Sequence, residues 1–280
     1  MIPSLKKIIL AIIDLIKTFF FLSNLNKNEL QGFISPLTKI RLTPFTKVRV
    51  PYCLGRTVRG LSFDENLELD PAARMCKDLF DDIDHFIIQD NLLKVFAQQK
   101  DMNAADIVNL KNNVKLKDYP AWAIVMPWEE LNIEDVFKSF PKTFYKNRIS
   151  QGMLFEENSR LSIIDKMYTV EFARNRVEQM NTLYKNLKNN GYVQDSNFPK
   201  INILIKKNEW RWFMGDGGNH RSYVFYFFGH KFFNARVSNI INKKEVHNWH
   251  NVKNGTYSAE EAENIFDSYF DGCKAYRGMV

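Results

Sequence analysis

Residues 216 to 222 read Asp216, Gly217, Gly218, Asn219, His220, Arg221 and Ser222, with Gly215 just ahead of them. These residue types, in this order, suit an anion. Three glycines within four residues let the backbone adopt unusual dihedrals and approach a ligand closely. A glycine turn that opens a helix presents unsatisfied N–H groups and the positive end of the helix dipole to a phosphate. Arg221 adds a fork of donors matched to phosphate oxygens. His220 can donate to a phosphate or move a proton near neutral pH. Asp216, before the turn, can accept a proton from an attacking hydroxyl or orient a cation such as Mg²⁺. The candidate catalytic groups are therefore Asp216 and His220. The candidate nucleotide- or phosphate-binding groups are Gly217, Gly218, Asn219, His220, Arg221 and Ser222. A tight structural turn with an incidental His-Arg pair is the alternative.

The flanking sequence predicts elements that would hold this loop. From Glu171 the residues Phe172, Met180, Leu183, Tyr184 and Leu187 recur at helical spacing, with Arg174, Arg176, Lys185 and Lys188 outside. Asn190-Gly191 ends that helix, the glycine taking a left-handed position. After Pro199, Ile201, Ile203 and Ile205 alternate with polar residues, Lys207-Asn208 turns, and Trp210, Trp212 and Met214 alternate in turn, which reads as a β-hairpin. Asn219 to Phe228 reads as a helix with Val224, Phe225 and Phe228 on its buried side and Gly229 closing it. Phe233, Ala235 and Val237 then alternate as another strand. The expected order is helix, strand, strand, glycine loop, helix, strand.

In motif and element order this stretch, about a quarter of the chain, resembles the ParB/sulfiredoxin superfamily. The matching places are Asn190-Gly191, Ile201 to Ile205, Gly218 to Arg221 and Phe228-Gly229. Sulfiredoxin-like members carry Gly-Gly-Cys-His-Arg with cysteine as nucleophile. Asn219 stands in that place here, and an amide cannot replace a thiolate. ParB-type partition proteins carry Gly-Glu-Arg-Arg and bind CTP. Only Gly218 and Arg221 match them, and the 40 residues after 240 leave little room for their DNA-reading domain. The free-serine kinases of this fold carry Asp-Gly-x-x-Arg, which Asp216-Gly217 and Arg221 resemble with one extra glycine. That resemblance implies that Asp216 assists a substrate hydroxyl and that Gly217 to Ser222 hold nucleotide phosphates, those of ATP, ADP or CTP, with Mg²⁺ at the phosphates. It also suggests a saccharide substrate in surface-glycan biosynthesis.

The rest of the chain frames that module. The expected fold class is α+β: a ParB/sulfiredoxin-like module over 166–240, an accessory or substrate region over 25–165, a helical tail over 241–280 and an amphipathic helix over 1–24. In residues 4–22, Lys6, Lys7, Asp14, Lys17 and Thr18 gather on one side of a helical projection, and Ile8, Ile9, Ile12, Ile13, Leu15, Ile16, Phe19 and Phe20 fill the other. This pattern fits a membrane surface or a helix docked on the protein's own core or a sister subunit; the charges break the apolar run too early for a span. Lys47 to Val50 reads as a strand. Asp70-Pro71 opens a helix with Asp70 as cap and Ala72, Met75, Leu79 and Phe80 facing a core. Asp78, Asp81, Asp82 and Asp84 read as a solvated helix end rather than a calcium loop. Pro127 to Glu130 reads as the start of another helix, and Asn147-Arg148 with Gly152 as a polar connector. His247 and His250 read as part of a loop of packed aromatics rather than as metal ligands. Ser258 and Glu261 form a capping box, with Ala262, Ile265, Phe266, Tyr269 and Phe270 facing a core and Gly272 at the end.

A formal net charge of +7 favours anionic partners without choosing among them. Three scattered cysteines argue for a reducing compartment and against a disulfide framework or zinc site. These features together describe a cytoplasmic protein, peripheral at the inner membrane face if residues 4–22 bind there. The expected activity is a nucleotide-dependent phosphotransferase acting on a hydroxyl of a small molecule or saccharide. The alternatives are a nucleotide-binding switch in which the nucleotide drives homodimerisation and, third, a DNA-binding partition-type protein; nothing in the basic residues clusters as a nucleic-acid reader.

Overall fold

The alternation of Ile201, Ile203 and Ile205 with Trp210, Trp212 and Met214 folds into the expected antiparallel hairpin, these residues pairing Ile201 with Met214, Ile203 with Trp212 and Ile205 with Trp210. Lys207 turns it with φ 54°. The computed structural model describes residues 47–150, 168–191, 198–207, 209–215 and 218–272. Residues 1–46, including the stretch 4–22, lie outside it, as do 151–167, with Gly152, and the loop residues Asp216 and Gly217.

The fold is mixed α+β. Its strands are β1 (Lys47–Pro51), β2 (Gly55–Arg56), β3 (Lys200–Lys206), β4 (Glu209–Met214) and β5 (Phe232–Asn242), in the order β1-β5-β3-β4-β2. β5 pairs antiparallel with β1 through its first half and parallel with β3 through its second. The sheet thus draws strands from both sides of residue 165. Its helices are α1 (Pro71–Phe80), α2 (His85–Lys100), α3 (Ala104–Ile107), α4 (Val114–Lys117), α5 (Ile133–Ser150), α6 (Val170–Asn190), α7 (Asn219–Phe227), α8 (His250–Lys253) and α9 (Ala259–Phe270).

Strand periodicity divides these helices between two faces. Ile201, Ile203, Ile205, Trp210, Trp212, Met214, Phe233 and Ala235 point to one core, shared with α1, α2, α6 and α7. Leu204, Phe213 and Ile241 point the opposite way, into a core filled by residues of 104–133 and by α9.

The sheet cannot be flat. Its edge strands β1 and β2 are joined by only Tyr52–Leu54, and Pro51 to Gly55 spans at most about 15 Å of chain. Four strand spacings amount to about 19 Å. The sheet therefore curls. Trp212 of β4 stacks on Phe233 of β5 with ring centroids 6.0 Å apart, and its indole N–H donates to the Pro51 carbonyl at 2.7 Å. Gly55 sits so close to that indole that a Cβ would lie 2.6 Å from it.

Caps fall where the residue types put them. Asp70 accepts from the backbone N–H of Ala72 and Ala73 at the start of α1. Thr169 caps α6, and Gly191 ends it with φ 63°. Ser258 and Glu261 complete the capping box of α9, whose Ala262, Ile265, Phe266, Tyr269 and Phe270 are all buried. Gly272 follows with φ 70°. The buried Arg56 closes the other end of α9, donating to the carbonyls of Tyr269 and Phe270. Loss of hydration, then the nearby Arg211, lowers its pKa to about 10.

Three local expectations change. No helix starts at Pro127. Residues 127–130 form a turn, and α5 begins at Ile133. The turn is held from far along the chain: the fully buried Asn251 donates through Nδ2 to the carbonyls of Met126, Glu129 and Leu131. Asn147-Arg148 is not a connector but helical, inside α5. Phe80 does not face a core; it is 44% exposed.

The acidic run serves helix ends. Asp78 is buried and accepts from Arg74 at 2.9 Å, Asp81 pairs with Lys77 at 2.7 Å, and Asp84 caps α2 through the Phe86 N–H. Among the described residues no group of three or more His, Cys, Asp or Glu could hold a metal ion, and no helix is long and apolar enough to cross a membrane.

Candidate anion site at the start of α7

The end of β4 is pinned before the loop begins: Gly215 donates its N–H to the Lys200 carbonyl at 2.8 Å. At the far side of the loop Gly218 is the N-cap of α7, with φ 102°. Glycine is required there twice over. The left-handed backbone disfavours a side chain, and a Cβ would lie 2.6 Å from Cβ of Pro199 and 2.8 Å from Cε of Met214. Gly218 brings no capping side chain, so the positive end of α7 is left to other acceptors.

Three side chains at this end can address a ligand. Arg221 is half-buried and, among the described residues, forms no hydrogen bond or ion pair. His220 lies against Arg176 of α6, Nε2 2.8 Å from a guanidinium nitrogen. Asn219 holds its Oδ1 shielded from solvent with no hydrogen-bond donor upon it. Such an acceptor is a free-energy cost until a donor arrives.

Ser222 behaves differently. It is fully buried, its hydroxyl donates to the Asn219 carbonyl, its N–H to the Gly218 carbonyl, and its own carbonyl accepts from the Tyr52 hydroxyl. These bonds fasten α7 to the link between β1 and β2 and leave Ser222 facing inward. Asp216 and Gly217 lie outside the described residues.

Below its first turn α7 is clamped. The Tyr223 hydroxyl lies beside Asp70 at the start of α1, and the Tyr226 hydroxyl beside Asp64. Burial drives the Tyr223 hydroxyl well above its usual range, and Asp70 beside it adds to the effect. Burial also raises the Asp70 carboxyl, against the opposing pull of Arg59 and its hydrogen bonds. At the C-terminal end, His230 N–H reaches the Phe225 carbonyl and Gly229 N–H the Tyr226 carbonyl, with Gly229 at φ 81°. This is a Schellman closure, as the Phe228-Gly229 pair implies. The site is therefore carried on a helix fixed at both ends.

Compared with protein-family models, with curated proteins and with solved structures, the chain matches none of them. Its chemistry has to be read from its own residues.

The structure brings Gly218, Asn219, His220 and Arg221 to one helix end and turns Ser222 away. Arg176 was missed in the sequence because it sits among other basic residues on the polar face of α6, where a cation looks like an ordinary solvated one. Its only advance signal was a face with Arg174, Arg176, Lys185 and Lys188 preceding an anion-type loop. Of the described cysteines, Cys53 is exposed. Cys76 is buried, which pushes its thiol up to about 12. His247 and His250 flank Trp249, which packs against Trp128 and Phe266.

Proposed function

We propose that this chain binds the phosphates of a nucleotide at the start of α7 and transfers a phosphoryl group to a hydroxyl of a small molecule or saccharide. The observation that carries the reading is a helix N-terminus whose N-cap, Gly218, brings no side chain of its own, beside Arg221 and the Arg176–His220 pair. Two guanidiniums and a positive helix end in one place favour a multiply charged anion over a single carboxylate. The shielded Oδ1 of Asn219 would take a donor, as a sugar or substrate hydroxyl would supply. The element order α6, β3, β4, loop, α7, β5 supports the resemblance to the ParB/sulfiredoxin fold, and its Asp-Gly-x-x-Arg branch gives Asp216 the role of assisting the hydroxyl. The described residues form no metal centre of their own. Mg²⁺ would be carried chiefly by the phosphates, with Asp216 the one nearby carboxylate in sequence.

One observation favours a second reading, a nucleotide-binding switch. Arginine only donates, so Nε2 of His220 accepts from Arg176 and is already engaged rather than waiting as a base. Thermal shift with ATP, ADP, CTP and GTP, each with and without Mg²⁺, on the wild type and Arg221→Ala, tests the shared binding step. Stabilisation by one nucleotide, lost in the variant, supports both readings. Asp216→Asn then separates them. Binding retained with turnover cut by orders of magnitude supports the transferase; binding with no turnover in either protein leaves the switch. No shift with any nucleotide removes both.

A further inference from the structure

The corner between α1 and α2 exposes four large apolar side chains within eight residues: Phe80 at 44%, Ile83 at 38%, Phe86 at 77% and Ile87 at 54%. Phe80 also meets the ring of Phe228, 6.2 Å between centroids, and Phe228 meets Tyr184 of α6, so the patch continues onto partly buried aromatic surface. Isolated exposed apolar residues need no explanation, but a contiguous group rimmed by charge marks an interaction surface. The rim here is acidic. Asp81, Asp82, Asp84 and Asp90 alternate with these apolar residues along the chain; Asp81 and Asp90 are paired with Lys77 and Lys94, while Asp82 and Asp84 have no salt bridge among the described residues.

We propose that this patch is the docking surface for the chain's own segment 4–22. That segment has the complementary chemistry. Its apolar residues Ile9, Ile12, Ile13, Ile16 and Phe20 recur as the anchors of a helix laid on an apolar surface. Lys6, Lys7 and Lys17, set against the single Asp14, edge it with net positive charge facing the aspartates. An anionic membrane offers the apolar part of the match but repels the acidic rim. The tether reaches: residues 23–46 can span about 80 Å when extended, more than the roughly 50 Å across a globule of this length. A tethered segment also has an effective concentration of about millimolar, which a free partner of equal affinity rarely reaches.

The test is hydrogen exchange, read on peptides covering residues 8–20 of the full chain at low micromolar concentration, for wild type and Phe86→Glu/Ile87→Glu. Both substituted side chains are exposed, so the fold should survive; circular dichroism and Tm check this. The expected result is exchange slowed at least tenfold in wild type and released in the variant, with no dependence on protein concentration. Asp82→Asn/Asp84→Asn, which keeps an amide to cap α2, is expected to release it about threefold at low salt. Equal exchange in wild type and the Phe86/Ile87 variant overturns the proposal. Protection that grows with concentration alongside a doubled mass by light scattering also overturns it, in favour of a second copy on the patch. Flotation with phosphatidylglycerol vesicles that is lost on the Phe86/Ile87 substitution overturns it in favour of lipid.

Discussion

Nε2 of His220 accepts a hydrogen bond from Arg176 at 2.8 Å across 44 residues of chain. The imidazole in this contact carries its proton on Nδ1, because the guanidinium has no lone pair to offer. Arg176 thereby orients His220 and adds its own charge to the start of α7.

Arg176→Gln and Arg221→Ala are each expected to weaken nucleotide binding about 10- to 100-fold, the worth of a charge-assisted hydrogen bond of about 1.5–3 kcal/mol. Isothermal titration calorimetry with the nucleotide found by thermal shift measures it. An unchanged Kd for Arg176→Gln would take Arg176 out of the ligand site and leave it only a packing role.

Gly229 and Gly218 form an internal control. Both have positive φ, but a Cβ at Gly229 meets nothing within 4 Å, whereas one at Gly218 strikes the rigid ring of Pro199. Gly229→Ala is expected to cost about 1 kcal/mol in urea unfolding, for conformation alone. Gly218→Ala is expected to cost a further ~1–3 kcal/mol for the clash and to abolish the nucleotide shift. Equal losses at the two positions would mean that Pro199 and Met214 yield.

Asn251 tests the turn at 126–131. Its Nδ2 serves three carbonyls. Asn251→Ala leaves buried acceptors unmet and is expected to cost about 2–4 kcal/mol. Asn251→Asp, nearly the same shape, sets a carboxylate against those carbonyls and is expected to cost more at pH 7 than alanine does. Chemical denaturation of both variants decides; an aspartate variant more stable than the alanine one would contradict the donor role.

The thiols should separate cleanly. Cys53 is exposed and Cys76 buried, so a thiol reagent at pH 8 is expected to label Cys53 in minutes and Cys76 only on unfolding, as peptide mass spectrometry would show. Burial raises Cys76 from 9.0 to about 12. The folded chain holds this proton more tightly than the unfolded chain, so the group's contribution to stability is complete below pH 9 and is lost as pH climbs through 12. The buried Tyr52 and Tyr223 hydroxyls, also raised by burial, act in the same direction. The urea midpoint is expected to fall from about pH 9 upward; a flat midpoint to pH 11 would show these groups solvated.

Local signals carried much of this structure. The β3–β4 hairpin announced itself through a strict two-residue period, α6 through its Asn-Gly end and α9 through its capping box, because each depends on neighbours in sequence. What stayed hidden depends on distant chain. β2 is two residues long and shows no period at all. Pro127 to Glu130 has the composition of a helix start, but Asn251 satisfies its carbonyls in a turn instead. Phe80 continued the apolar period of α1 while standing outside the core. At the site, the glycines, His220 and Arg221 could be read from their types alone. The inward turn of Ser222 and the approach of Arg176 could not, since both are set by packing between α7 and elements more than 40 residues away.

The strand order has a consequence for synthesis. β1 and β2 leave the ribosome early, yet every partner they have in the sheet lies between Trp212 and Arg236. At elongation rates of about 5–20 residues per second, Val48, Val50 and Tyr52 wait roughly 10–40 s before the strands that cover them exist. Translation speed and chaperone supply, rather than the stability of the finished molecule, would then set how much of this protein a cell recovers in folded form.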